Sequence, residues 1–393
     1  MKNLMIIGAS VLQLPAIKRA KELGFNVAVA DYDPKAIGIP YADKFYEVST
    51  IDIEGVTAAA EDFKADGIMT LASDMPMRSV ATASKKLGLT AVSFETAVKA
   101  TDKGEMIKAF KEYGVPSPWF FIVPDKKTLE EIKDKIEYPC ILKPLDNSGS
   151  RGVMLVKEEK DLDESFEYSK GSSRGAGVII EEYMQGSEVS VEVMAWDGEI
   201  HILAITDKLT TGAPHFVEMG HSQQSRLSEE IKNQIKEVAT KAVKSVGIEN
   251  GPAHVEIMVT EKGPKMIELG ARMGGDCITT HLVPLSTGID MIECTIRCAL
   301  GEKPDVRPKF DKGSAIRFFD VPRGTIKSIS GVEDARKIEG IQEITFTKNV
   351  GDTAGDINSS TDRCGFVIAQ ADNAENAIAI CEQAIAKIKI EVE

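Results

Sequence analysis

The chain has 393 residues, of which 43% are hydrophobic and 27% are charged, and its formal net charge is -14. A chain of this length forms about two to four domains with substantial apolar cores. The acidic balance argues against nucleic acid or an anionic membrane surface as a partner, because both require a basic face. We therefore expect an anionic ligand to be bound by local cations.

The six cysteines contain no CxxC pair, and Cys294 and Cys298 stand at helical spacing in an apolar run. We interpret the cysteines as reduced residues in or near the core, without a disulfide framework. The amino-terminal apolar run is too short for a signal peptide, and no stretch approaches the ~20 apolar residues of a membrane span. These features predict a globular cytoplasmic protein.

Residues 1–100 alternate short apolar runs with helical patterns, which is typical of a parallel sheet with helices on both faces. The first turn, GASVLQLP, lacks the GxGxxG pattern of dinucleotide-binding folds, so we expect Asp31 to be structural rather than to hold a ribose. Asp74 either caps the next helix or borders a ligand crevice. The strands are predicted at Leu4–Ile7, Asn26–Ala30, Phe45–Val48 and Ile68–Thr70, and the helices at Pro15–Leu23, Val56–Phe63 and Pro76–Leu87.

The segment Ala253–Asp276 predicts a β-hairpin, because apolar residues alternate as far as Val259 and the pair Lys262–Gly263 forms a turn. Glu256 and Glu268 then lie side by side on neighbouring strands. Paired carboxylates repel each other unless a cation separates them, and Mg²⁺ is a usual one. The alternative is an ordinary hairpin whose glutamates face solvent.

Three cations stand where they could hold phosphate oxygens. Arg272 follows the hairpin, beside the proposed metal site. Lys103 lies near the start of a helix that Thr101 is expected to cap, where a cation opposes the helix dipole; it either binds an external anion or is a solvated surface residue. Lys143 ends the buried strand Tyr138–Pro144 and needs a partner there.

Two further segments suit a nucleotide. The turn Asp146–Val153 is rich in small residues, and its backbone N–H groups could fold over phosphates. The strand Val178–Met184 ends in a polar turn that is followed by Glu188. Such a strand exit suits an adenine ring, and a nearby carboxylate suits ribose hydroxyls, although a connecting loop with solvated glutamates is the alternative. Further strands are predicted at Val189–Val193 and Ile200–Ile205.

In these residues and their order, the chain resembles the ATP-grasp superfamily: Lys103, Lys143 with DNSGSRGV, EEYM with Glu188, and Glu256 with ELGAR stand at similar spacings. The resemblance implies α/β and α+β folds, beginning with an N-terminal parallel α/β pre-grasp domain at residues 1–100. A two-lobed ATP-grasp domain follows at 101–300, with a lid at about 125–187, and then a small C-terminal α+β closing domain at 301–393. The resemblance also implies ATP and Mg²⁺ as cofactors.

The same resemblance implies a role for each matching residue. Many members of the family carry Asn two positions after the second metal carboxylate, where this chain has Gly270, so the occupancy of a second magnesium position stays open. The phosphates would be held by Lys103, Lys143, Gly149 and Ser150, the adenine by Glu181, Glu182 and Met184, the ribose by Glu188, and the magnesium by Glu256 and Glu268.

The segment Phe216–Ser222 resembles a loop of the carboxylate-amine ligases that join amino acids, the L-amino acid ligase-like branch of the superfamily. The likeness implies that Glu218 and His221 lie near the substrate, whereas an isolated histidine is more often a surface residue. With Arg272 they form the expected catalytic group. Arg272 stabilises a developing oxyanion, and Glu218 or His221 positions the amine or accepts its proton.

The expected reaction is the ATP-dependent activation of a carboxylate as an acyl phosphate, followed by its coupling to an amine with release of ADP and phosphate. Two alternatives stay open: phosphorylation of bicarbonate or of a purine-precursor carboxylate, and nucleotide binding without turnover. We expect small-molecule carboxylates and amines as partners, and a monomer or a homodimer as the assembly. The sequence does not identify the acid or the amine.

Asp276 lies four positions beyond Arg272. It either caps a helix that begins near Thr279 or pairs with Arg272, or else it forms a pocket wall that favours a cationic or hydrogen-bond-donating substrate group. The C-terminal part contains predicted strands near Ala315–Asp320 and Gly365–Ala369 and a helix at Ala374–Lys387.

Overall fold

The computed structural model of the protein describes residues 1–147, 151–213 and 216–393. Strands β1 to β19 span, in order, Asn3–Ile7, Asn26–Asp31, Lys44–Glu47, Gly67–Met69, Phe120–Val123, Cys140–Pro144, Met154–Val156, Val178–Glu182, Ser187–Trp196, Glu199–Thr210, Glu218–Gln223, Gly251–Thr260, Gly263–Gly270, Gly313–Phe318, Gly324–Ser330, Ile341–Phe346, Thr353–Ala354, Gly365–Ala371 and Lys389–Val392. Helices α1 to α12 span, in order, Leu14–Glu22, Ile53–Phe63, Met77–Leu87, Phe94–Lys99, Lys103–Glu112, Lys126–Ile132, Leu162–Gly171, Glu229–Val246, Val283–Thr287, Met291–Ala299, Val332–Arg336 and Ala374–Lys387.

The N-terminal sheet has the strand order β3-β2-β1-β4, and all its pairs are parallel. Leu4 and Ile6 pack with α1 on one face, whereas Met5 and Ile7 pack with α2 and α3 on the other. Strands β1, β2 and β4 are mainly apolar because helices cover both faces, whereas the edge strand β3 is polar and partly exposed. The predicted parallel α/β unit is therefore confirmed. Asp31 accepts the backbone N–H of Ala9 (2.7 Å), which is a structural role.

A second, antiparallel sheet has the order β5-β8-β6-β7 and occupies part of the segment predicted as the lid. Its core is formed with Leu129 of α6 and with Leu162 and Phe166 of α7. These helices cover one face of the sheet, so the other face is left for the cleft described below.

The central sheet has the order β13-β12-β9-β10-β11-β14-β18-β16, and its pairs are antiparallel. Helix α8 packs on it through Ile235, Ala239 and Val243. The last three strands come from the C-terminal part of the chain, and α12 packs on them through Ala377 and Cys381. The C-terminal part therefore continues the central sheet, while β17-β15-β19 form a small separate sheet.

Several predicted boundaries differ from the observed ones, and two of the differences concern residues near the site. Helix α5 is capped by Asp102, whose carboxylate accepts the N–H groups of Gly104 and Glu105, because the hydroxyl of Thr101 instead donates to the carbonyl of Ala97 (2.7 Å). Strand β10 continues to Thr210, beyond the predicted end at Ile205.

The predicted reduced state of the cysteines agrees with the structure, in which all six are free. Over the described ranges, we find no helix with the length and apolar character that a bilayer crossing requires.

Candidate active site

The hairpin predicted around the two carboxylates is present. Strands β12 and β13 are antiparallel, and Glu256 lies directly opposite Glu268, next to a register shift between Glu256 and Ile257. The Cβ atoms of such a pair lie about 4.5–5.5 Å apart, so both anionic side chains share one patch. The solvent-facing alternative is wrong, because the two side chains are only 19% and 25% exposed.

Lys208 of β10 is the principal counter-ion of this patch. Its ammonium contacts Glu188 and lies 3.0 Å from Glu256 and 3.7 Å from Glu218. Burial alone would lower the pKa of Lys208, but attraction to the three carboxylates outweighs it and raises that pKa well above its usual value. Burial likewise opposes the charge of Glu256, yet Lys208 and His254 hold the pKa of Glu256 well below its usual range.

Lys103, the first residue of α5, neutralises the other carboxylate. Its Nζ lies 2.7 Å from Glu268 Oε2 and donates to the carbonyl of Asn147 at 3.0 Å. Burial would lower the pKa of Lys103, but Glu268 more than offsets this and the pKa is raised. With a side chain only 14% exposed, Lys103 is not the solvated surface lysine that the sequence left as an alternative.

His254 supports Glu256 from two positions earlier on the same face of β12. Its Nδ1 lies 2.8 Å from the fully buried Glu192, and its Nε2 lies 3.4 Å from Glu256 Oε1. Burial would lower the pKa of His254, but the Glu192 carboxylate raises it to about 9. Gly274 makes room for this ring, since a Cβ at that position would lie 2.6 Å from His254 Nδ1.

A cleft of about 940 Å³, which we call the larger cleft, opens between the hairpin and the four-stranded sheet. Within it, Lys143 pairs with Glu181 at 2.6 Å, which gives the lysine the partner that its burial requires. Gly149 and Ser150, also predicted to bind phosphate, lie outside the described residues. The lining includes the other residues predicted to bind nucleotide or metal: Lys103, Lys143, Glu181, Glu182, Met184, Glu188, Glu256 and Glu268.

A smaller cavity of about 450 Å³ adjoins the larger cleft and shares Lys103, Glu256 and Glu268 with it. It reaches the N-terminal sheet at Asp74, and Arg272 forms part of its wall. The paired carboxylates therefore stand where the two spaces meet.

Arg272 is bound by Asp74, with Nε to Oδ1 at 2.8 Å and Nη2 to Oδ2 at 3.2 Å. Burial would lower the pKa of Arg272, but Asp74 outweighs it and the pKa is raised. The expectation that Asp74 caps the next helix is wrong, because Pro76 is the residue at the start of α3 and no side chain caps it. Asp74 instead borders the cavity.

Glu218 and His221 share one face of β11 because of a β-bulge. Residues three apart on a regular strand point to opposite faces. Here Lys208 lies opposite His221 and Thr210 lies opposite Glu218, with a register shift between Leu209 and Thr210 that brings both side chains to the Lys208 face.

His221 is 1% exposed, so the surface-residue alternative is wrong. Its Nε2 lies 3.3 Å from Asp276 Oδ2, and its ring meets the edge of Phe318. His221 lines neither the larger cleft nor the smaller cavity, whereas Glu218 lines the larger cleft. Of the two residues, Glu218 is the one that borders a space that a ligand could enter.

Asp276 is held by Arg363 from the C-terminal part, which donates to its two oxygens at 2.7 and 2.8 Å. The expected helix cap and the expected pairing with Arg272 are both wrong, because Cys277 occupies the position before the π-helical turn Ile278–Leu282 and Arg272 pairs elsewhere. Burial would raise the pKa of Asp276, but Arg363 and His221 lower it. This charge is already compensated, which argues against selection of a cationic substrate by Asp276.

Sequence reasoning missed Lys208 and Arg363. The apolar alternation of β10 stops at Asp207 and Lys208 because these residues face charged groups, and continuing the strand pattern to Thr210 would have placed Lys208 on the site face. Arg363 stands 87 residues from Asp276, and no local pattern connects them.

The architecture is that of the ATP-grasp fold. Residues 136–280 match the model of the ATP-grasp domain, and residues 317–393 match that of L-amino acid ligase C-terminal domain 2. The chain therefore contains an ATP-grasp domain followed by a C-terminal domain of the L-amino acid ligase type, which confirms the resemblance stated from the sequence.

The chain is also similar to individual proteins that contain such domains or share this fold. The chain is 29% identical to alanine–anticapsin ligase of Bacillus subtilis (strain 168) over 296 residues, which cover 68% of this chain and 61% of that ligase. It is 25% identical to the solved phosphoribosylglycinamide synthetase from Anaerococcus prevotii, with a TM-score of 0.81 and 100% of both chains covered. The solved L-amino acid ligase from Bacillus licheniformis is 24% identical, with a TM-score of 0.85 over 100% of this chain and 99% of that one, and shares the fold.

Proposed function

We propose that this protein is an ATP-dependent carboxylate-amine ligase. It activates a carboxylate as an acyl phosphate and couples it to an amine, with release of ADP and phosphate. The observation that carries the proposal is the junction of the two spaces at Glu256 and Glu268, with Arg272 in the wall of the smaller cavity. A nucleotide in the larger cleft could present its terminal phosphate at this junction, and a carboxylate could approach from the smaller cavity.

The junction suits Mg²⁺, which prefers carboxylate oxygens and keeps most of its remaining positions for water and phosphate. Glu256 and Glu268 offer such oxygens side by side. Bound Mg²⁺ would neutralise charge on the phosphates of the nucleotide.

The nucleotide is held by residues of the larger cleft. Lys103 and Lys143 donate charge-assisted hydrogen bonds to phosphate oxygens. Glu181 and Met184 face the adenine, and Glu188 binds the ribose. Each lysine now pairs with a carboxylate, Lys103 with Glu268 and Lys143 with Glu181, so nucleotide binding exchanges one anionic partner for another.

The chemistry divides a difficult substitution into two steps. A carboxylate oxygen attacks the terminal phosphorus of ATP, the bond to the bridging oxygen breaks, and ADP leaves. The amine then attacks the carbonyl carbon, phosphate leaves, and the amine nitrogen loses a proton. Arg272 stabilises the negative oxygen of the tetrahedral state, and Glu218 positions the amine or accepts its proton, while His221 supports the site through Asp276.

A screen of ADP release with ATP, Mg²⁺ and pairs of amino acids and dipeptides tests this proposal, followed by mass spectrometry of the product. We expect ADP release that depends on both an acid and an amine, and a product mass equal to their sum less water. ADP release with bicarbonate or a purine precursor alone would favour an enzyme that phosphorylates bicarbonate or a purine-precursor carboxylate. ATP binding without ADP in any mixture would favour a non-catalytic nucleotide-binding protein.

A further inference from the structure

Asp74 and Arg272 form an ion pair between two parts of the fold. Asp74 follows β4 of the N-terminal sheet, and Arg272 follows β13 of the central sheet, 198 residues further along the chain. Their side chains are only 19% and 14% exposed, so the pair is largely withdrawn from solvent. Such a pair restrains both side chains more firmly than an exposed one.

The ion pair with Asp74 uses one edge of the Arg272 guanidinium and does not use all of its N–H donors. Arg272 binds Asp74 through Nε and Nη2, and its Nη1 donates to the carbonyl of Met273 at 3.2 Å. A guanidinium has five N–H donors, so two remain after these three hydrogen bonds. Arg272 also lines the smaller cavity beside Glu256 and Glu268. The remaining donors belong to a guanidinium whose plane is already set.

Gly270 provides the space that this pair needs. A Cβ at position 270 would lie 2.6 Å from Asp74 Oδ1 and 3.0 Å from Arg272 Nε. Gly270 is the last residue of β13, and its backbone has an ordinary conformation that would accept a side chain. The ion pair thus occupies the volume in which any other residue at position 270 would begin.

We propose that Asp74 is the positioning residue of Arg272 and that this positioning depends on the space left by the missing side chain of Gly270. The inference deepens the proposed ligase function and rests on it. Asp74 holds the guanidinium in its working orientation before the substrates arrive, so a developing oxyanion meets donors that need no reorganisation. Because Asp74 lies between β4 of the N-terminal sheet and α3, the docking of that sheet contributes directly to the geometry of the reaction.

The first test compares Asp74→Ala and Asp74→Asn with the wild type. We expect Asp74→Ala to lower kcat by roughly 10²-fold, the loss that a misplacement of about 1 Å can cause. The kcat of Asp74→Asn should lie between those of Asp74→Ala and the wild type. The Kd of a non-hydrolysable ATP analogue should not change, because neither Asp74 nor Arg272 lines the larger cleft. A purely structural role would instead weaken nucleotide binding and kcat together, in step with a lower Tm.

The second test is a double-mutant cycle with Gly270→Ala. Alone, this change should displace the ion pair and lower kcat as Asp74→Ala does. In the Asp74→Ala background it should add little, because the oxygen that the new methyl group would meet at 2.6 Å is gone and the Arg272 guanidinium, which it would meet at 3.0 Å, has already lost its restraint. Additive losses would overturn the role given to Gly270.

Glu293→Gln is the matched control. Glu293 of α10 binds Arg19 of α1 at 2.9 Å. It is therefore also a carboxylate that pairs with an arginine where the N-terminal part of the chain contacts the rest. It lines neither the larger cleft nor the smaller cavity. Its kcat should equal that of the wild type.

Failure of this inference can be told from failure of the ligase function. If the wild type turns over ATP with acid and amine while Asp74→Ala keeps its kcat, the positioning role is wrong and the function stands. If the wild type has no such turnover, the function is wrong. Hydrogen exchange at the Arg272 Nε–H, followed by NMR, then still tests the positioning: it should be slow in the wild type and fast in Asp74→Ala, and equal rates would overturn the role.

Discussion

At the scale of single residues, the proposed magnesium site is tested most directly at its ligand Glu268. Glu268→Gln removes the charge of the proposed ligand and keeps its shape, so we expect turnover to be abolished while the protein still unfolds cooperatively, at a Tm lowered only by the loss of the Lys103 ion pair. Kinetics across a Mg²⁺ titration measure the first effect and thermal unfolding the second. Glu261→Gln, in the exposed turn of the same hairpin, is the control. Mg²⁺-dependent activity near the wild-type rate in Glu268→Gln would remove the assignment.

Asp276 tests whether a charge near the site selects the substrate or supports the fold. Asp276→Asn leaves the buried Arg363 without its anionic partner, so we expect the free energy of unfolding to fall by about 3 kcal/mol. Since Arg363 and His221 lower the pKa of Asp276 in the folded state, this difference is present above the ordinary Asp pKa of ~3.9 and disappears as the pH falls through the lower folded value. Urea unfolding at several pH values measures it.

The same variant has a kinetic readout. Because the charge of Asp276 is already compensated by Arg363, we expect equal losses of kcat/KM for cationic and neutral amines. A loss confined to cationic amines would restore the idea that Asp276 forms a selective pocket wall.

Single residues divide into those that local patterns reveal and those that they do not. Glu256 and Glu268 could be placed on neighbouring strands from the hairpin alternation and its turn, although it is the register shift between Glu256 and Ile257 that brings Glu256 opposite Glu268 rather than Ile267. The partners of Asp276 and Arg272 could not, because Arg363 and Asp74 are 87 and 198 residues away from them. Contacts of that separation depend on how whole sheets pack.

At the scale of elements, β10 brings a counter-ion into a group of carboxylates from three other strands. Lys208→Met leaves Glu188, Glu218 and Glu256 to repel one another, so we expect the variant to have a lower Tm than the wild type in EDTA. Added Mg²⁺ should raise the Tm of the variant more than that of the wild type, because it replaces the missing charge. Thermal unfolding with and without Mg²⁺ measures both.

Lys265→Met is the matched control for this experiment, since Lys265 pairs with a single carboxylate, that of Glu182, among the described residues. It should show no enhanced response to Mg²⁺. A Lys208→Met protein as stable as the wild type in EDTA would show that the carboxylate group needs no internal cation.

Element types were predictable where one face or both faces are apolar, as in β1, β2 and α12. The end of β10 and the bulge in β11 were not, because charged residues facing the site interrupt the alternation on which a strand prediction depends. The spacing of Glu218 and His221 illustrates the consequence. Regular alternation would separate them, and only the bulge places both on the site face.

At the scale of the whole molecule, the C-terminal part completes the central sheet. Strand β14 pairs with β11, and Arg363 also donates to the carbonyl of Glu218 at 3.0 Å. We expect residues 1–300 alone to aggregate, because removal of β14 exposes the edge of β11 and leaves Asp276 without its cation. Expression and gel filtration of this fragment measure the outcome, and a soluble fragment that binds nucleotide would contradict it. The domain boundaries at residues 100 and 300 remain predictions.

The central claim is that ATP activates a carboxylate as an acyl phosphate. An acid labelled with ¹⁸O in its carboxylate tests this most directly, because one labelled oxygen must leave with phosphate when the amine attacks. With ATP, Mg²⁺ and an amine, mass spectrometry of the released phosphate should show one ¹⁸O atom for each molecule of product. Phosphate without ¹⁸O, in the presence of ADP formation, would contradict the account, because its oxygen would then come from water.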